Sequence, residues 1–107
     1  MIRIPITARV GLAALALVAV SAPARAQDAN LARNLAATCA NCHGTNGNAR
    51  GEMAQLAGVS AEKIVAALND FKSGNKPATI MHQISKGYSD EQVKLIAAYF
   101  AAQKPAR

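Results

Sequence analysis

The stretch Cys39-Ala40-Asn41-Cys42-His43 constrains what this chain can fold into more than any other. Two thiols three positions apart, followed at once by an imidazole, form the attachment signature of a c-type haem. Cysteines at that spacing lie about one helical turn apart, so both can add to the vinyl groups of one porphyrin while the next residue turns its ring onto the iron. They are the chain's two cysteines. A disulfide closing so short a loop would restrict the unfolded chain little and would leave the histidine without a purpose. A thioredoxin-like redox pair needs a βαβ setting that the sequence lacks. A zinc knuckle needs further ligands, and one other histidine, His82, is present. The expected cofactor is therefore one covalent haem c, held by Cys39 and Cys42 and ligated through His43.

The chain opens with the features of a secretory leader. Arg3 and Arg9 lie in the first ten residues with no acid among them, an apolar run extends from Val10 to Val20, and Ala24-Arg25-Ala26 ends the segment. A basic start, a short apolar stretch and a small-x-small end describe a signal peptide. The run is shorter than the roughly 20 residues a bilayer requires. The expected organisation is a leader over residues 1–26, cleaved after Ala26, and a haem-binding domain over 27–107 in the periplasm. An uncleaved amphipathic anchor and cleavage at Ala22 or Ala24 are the alternatives. Covalent haem attachment and export agree with each other.

Arg3, Arg9 and Arg25 leave with the leader, so twelve Lys and Arg become nine against six Asp and Glu, a net charge of +3. That charge is too mild and too scattered for a nucleic-acid partner. With two Tyr, two Phe and no Trp, the domain has little bulky side-chain volume. A domain this small needs a staple, a metal or a cofactor to complete its core, and a haem supplies a large flat apolar body.

Periodicity predicts three main helices and no strands. The first covers about 28–42, with Leu31 and Leu35 on one face and Asn30 or Asp28 as N-cap. The second follows Ser60 as N-cap, buries Ile64, Val65, Leu68 and Phe71, and stops at Gly74. The third opens on the capping box Ser89-Asp90-Glu91-Gln92, presents Val93, Ile96 and Phe100, and runs to about Gln103. Between His43 and Gly51 the composition turns to glycine and asparagine, which lets the chain adopt positive φ and pass close to a flat group.

The segment Lys76 to Ile84 can supply a sixth iron ligand. Met53 follows His43 too closely for the chain to circle a macrocycle. Met81 and His82 are the two candidates, and adjacent residues do not readily point at one metal. Met81 is preferred because an apolar run carries it inward and a thioether suits a dry pocket, with core filling as its alternative role.

Cys39 to Gly47, Leu56-Ala57-Gly58, Ile80-Met81 and the late Tyr99-Phe100 together resemble the class I c-type cytochromes. More narrowly, Ile80 to Gln92 is similar to the haem subunits of flavocytochrome c sulfide dehydrogenases. The resemblance implies a small all-α class I cytochrome c-like fold, with three main helices wrapped around one haem and His43 and Met81 as axial ligands. It also implies a flavoprotein (FAD) partner that oxidises sulfide and passes electrons to the haem. Relatives carry a proline two residues before Leu-Ala-Gly, whose carbonyl accepts the imidazole hydrogen bond; Ala54 stands there in this chain. Alanine keeps the carbonyl and loses the fixed φ. Some related subunits hold two haems, whereas this chain has one attachment motif.

An iron held by imidazole and thioether has no open position, which leaves electron transfer as the expected function and no catalytic site on the chain itself. Lys72, Lys76 and Lys86 could rim an exposed haem edge for an acidic partner, or be solvated surface charge. A free-standing soluble shuttle is the alternative to a sulfide dehydrogenase subunit, and a haem enzyme or sensor with a vacant sixth position is a third reading.

Overall fold

The structure, a computed structural model, describes residues 30–106. The leader expected over 1–26, its cleavage site and Asp28 lie outside the described residues. Helices α1 (Leu31–Ala37), α2 (Ala40–His43), α3 (Ala61–Ser73), α4 (Met81–Lys86) and α5 (Asp90–Ala101) follow in order, with a short 3-10 turn, Thr45–Gly47, after α2. The described residues contain no strand, and the fold is all-α, as the resemblance implies.

The helix expected over 28–42 is two helices. Asn30 stands at the N-cap of α1, and its carbonyl accepts from the Asn34 N–H at 2.8 Å. The division comes at Thr38. Its hydroxyl donates to the Leu35 carbonyl at 3.1 Å, the same oxygen that the Cys39 N–H would use in a continuous helix. The Cys39 N–H turns instead to Ala36, three residues back, at 3.0 Å. That tighter turn starts α2 at the first thiol.

The two longer helices form as their caps dictate. Ser60 Oγ accepts from the Lys63 N–H, and Gly74, at φ +81, closes α3 in the left-handed region. Ser89 and Gln92 complete a reciprocal capping box at the start of α5, with bonds of 3.2 and 2.9 Å. Helix α5 ends at Ala101, short of Gln103, whose side chain bonds the Tyr99 carbonyl at 2.8 Å. Helix α4 falls in the segment read from sequence as a connection. Six residues are too few for a helical period to declare itself.

Helix α1 packs on α5, and α3 packs on both α4 and α5. Ala36 and Ala97, essentially buried, let α1 and α5 approach closely around Ile64, Ile96 and Phe100. The Tyr99 and Phe100 rings meet edge to face, centroids 5.4 Å apart.

The loop between α2 and α3 is bound to α5. Gly47, at φ +77, lies where a Cβ would come within 2.7 Å of the Phe100 ring and 2.8 Å of the Ala57 nitrogen. Its carbonyl accepts from the N–H groups of Leu56 and Ala57, both at 3.0 Å. The Gly58 N–H bonds the Phe100 carbonyl at 2.9 Å, and Tyr99 donates its hydroxyl to Asn46 Oδ1 at 2.7 Å. These contacts hold residues 44–58 as a defined arch over α2.

Candidate functional site

Cys39, Cys42 and His43 come together on one short element. Cys39 is the N-cap of α2 and half-buried, Cys42 is exposed, and His43 is the last residue of α2 and buried. The two cysteines are not joined in a disulfide. Burial pushes the Cys39 thiol above its ordinary value, with smaller opposing effects from the Thr38 side chain and the Cys39 backbone.

The chain turns sharply once past His43. Gly44 sits at φ +80, where a Cβ would fall 2.0 Å from the Asn48 carbonyl oxygen. The turn sends the loop back over the imidazole, and His43 Nδ1 lies 2.8 Å from the Ala54 carbonyl. A carbonyl can only accept, so Nδ1 carries the proton and Nε2 keeps its lone pair for a metal. The hydrogen bond that the resemblance attaches to a proline carbonyl is thus made by alanine. The arch pinned to Phe100 carries that carbonyl.

Met81 is the first residue of α4 and His82 the second, both half-buried. Neighbours on a helix differ in direction by about 100°, so the two do not share one target. Met53 is exposed at 44%. The lysines proposed as a rim divide. Lys72 is committed inward, donating to the Tyr88 carbonyl at 2.5 Å and pairing with Asp90 at 3.7 Å. Lys76 lies 5.2 Å from the Phe71 ring centroid, and Lys86 is exposed in the last turn of α4. The Tyr88 contacts to Thr38 and Lys72, which no sequence motif announces, tie the site's elements together.

This donor set fits a covalently held haem. An imidazole with its Nδ1 fixed and Nε2 available, and two thiols within the same turn, match what the group requires. Three of the seven buried apolar residues described are alanine, while Met53, Ile80 and Ile84 keep 44%, 56% and 37% of their surface exposed. These apolar side chains flank Ala54 and Met81 in the chain, where a flat apolar group would cover them. Among the described residues, no helix is long and apolar enough to cross a membrane.

Comparison with known proteins agrees with this chemistry. Residues 26–100 match the family model described as cytochrome c oxidase, cbb3-type, subunit III. The cytochrome subunit of sulfide dehydrogenase from Chlorobaculum tepidum is 46% identical over 66 residues, covering 62% of this chain and 60% of that protein. Cytochrome c-554(548) from Halomonas halodenitrificans is 31% identical over 83 residues, 74% of this chain and all of the relative. The thiosulfate dehydrogenase electron acceptor of Stutzerimonas stutzeri is 39% identical over 67 residues, and the match spans 31% of its length.

Proposed function

The chain belongs to the c-type cytochromes, carries covalent haem c and serves haem-based electron transfer, and from that premise we propose that it is the cytochrome subunit of a sulfide dehydrogenase. In this reading Cys39 and Cys42 bind the porphyrin through thioether links, and His43 and Met81 are the axial iron ligands. A leader over residues 1–26 directs the chain across the inner membrane, and the domain over 27–107 works in the periplasm with an FAD-bearing subunit.

The site's own residues restrict the chemistry. His43 is held by the Ala54 carbonyl, so its ring keeps one tautomer and one orientation. With His43 and Met81 both committed to the iron, no coordination position would be left for a substrate. When bound, haem supplies a one-electron iron couple whose potential a thioether ligand raises. Oxidation of sulfide releases electrons in pairs, so a flavin partner is needed to divide them for a one-electron carrier.

The observation that carries the partner assignment is the 46% identity to a sulfide dehydrogenase cytochrome subunit. The Halomonas cytochrome, matched over its whole length, favours a free shuttle as the second reading. Gentle purification from the native source separates the two. Flavin should co-elute with haem, and sulfide should reduce that haem in the isolated complex. A flavin-free monomer that sulfide leaves oxidised would overturn the subunit reading in favour of the shuttle.

A further inference from the structure

Packing places the proposed ligand-bearing elements in different pairs. Helix α4, with Met81, rests on α3, while the turn bearing Cys39 continues from α1, which rests on α5. Tyr88 joins them. Its hydroxyl lies 2.7 Å from Thr38 Oγ1, fifty residues earlier in the chain and next to Cys39. Thr38 spends its own proton on the Leu35 carbonyl, so the Tyr88 phenol is the donor. The main chain of Tyr88 is anchored at the other end. Its N–H bonds the Ser85 carbonyl of α4 at 3.4 Å, and its carbonyl accepts from Lys72 Nζ of α3.

We infer that Tyr88 is a positioning residue that holds α4, and Met81 with it, in register with the thiol-bearing turn. The inference rests on Met81 being the sixth ligand. On this inference an outside ligand takes Met81's place as α4 moves relative to that turn, and the Tyr88–Thr38 bond opposes the movement. An outside ligand binds only the displaced form, so its apparent affinity reports the fraction displaced. Loss of one neutral hydrogen bond corresponds to about a five-fold change in that equilibrium.

The test uses the haem-loaded full domain in the ferric state, with imidazole as the outside ligand. Tyr88→Phe should tighten apparent imidazole binding about five-fold, with the haem still attached. Thr38→Ala, which also removes the Leu35 hydrogen bond, should tighten binding at least as much, the double variant should go no further than Thr38→Ala alone, and Thr38→Ser should restore native affinity. Met81→Leu serves as the reference. If it changes the ligation spectrum while Tyr88→Phe binds imidazole as the native protein does, the positioning role is overturned, even where the melting temperature falls. If Met81→Leu leaves the spectrum unchanged, the ligation reading fails first and the inference falls with it.

Discussion

His43 Nδ1 and the carbonyl oxygen of Ala54 lie 2.8 Å apart, joining the last residue of α2 to an arch that is itself pinned to α5. The bond uses main chain, so alanine keeps the acceptor that the resemblance places on a proline and gives up only the rigidity of φ. Orientation of the imidazole therefore depends on the whole arch.

Ala54→Pro restores that rigidity while keeping the acceptor. Stability of the haem-loaded domain should rise by about 0.4–1 kcal/mol, through loss of conformational freedom in the unfolded chain. Denaturant titration with an unchanged visible spectrum checks it. A fall in stability would mean that the backbone at residue 54 does not accept proline's φ.

Gly47 is where the arch is most sensitive. A methyl group there meets Phe100 and the Ala57 nitrogen and must sit at φ +77. Gly47→Ala should cost more than about 2 kcal/mol, combining left-handed backbone strain with overpacking. Thermal melting would measure the loss, and a native melting temperature would show that the arch can give.

Met81→Leu should leave the haem attached, open the sixth position and lower the potential. Redox titration and the absorption spectrum report both. An unchanged spectrum would overturn Met81 as the ligand and leave His82 or a vacant sixth position.

Ser89→Ala removes half of the α5 capping box and should destabilise the domain by about 1 kcal/mol. The haem spectrum should stay the same, because α5 carries no ligand. Paired melting and spectral measurements separate this effect from one on the site.

What was readable in advance follows from how local each signal is. The caps at Ser60 and Ser89 and the stop at Gly74 act within a few residues, and all three appear as the sequence implied. The division of the first helix was hidden because it turns on one hydroxyl, Thr38, choosing its own Leu35 carbonyl. Helix α4 is too short to show a period. Lys72 looked like a free surface charge, and only tertiary contact with Tyr88 and Asp90 gives it another role. The attachment motif was plain because its chemistry lies in five consecutive residues. The carbonyl that orients His43 lies eleven residues on and bears no side-chain signature, so the family resemblance, and not the residues themselves, pointed to Ala54.

Mass spectrometry of the purified protein, denatured and digested, tests the covalent site most directly. The peptide containing Cys39, Cys42 and His43 should carry the added mass of one haem through two thioether bonds. A colourless product, whose cysteines are recovered as free thiols or joined to each other, would contradict it.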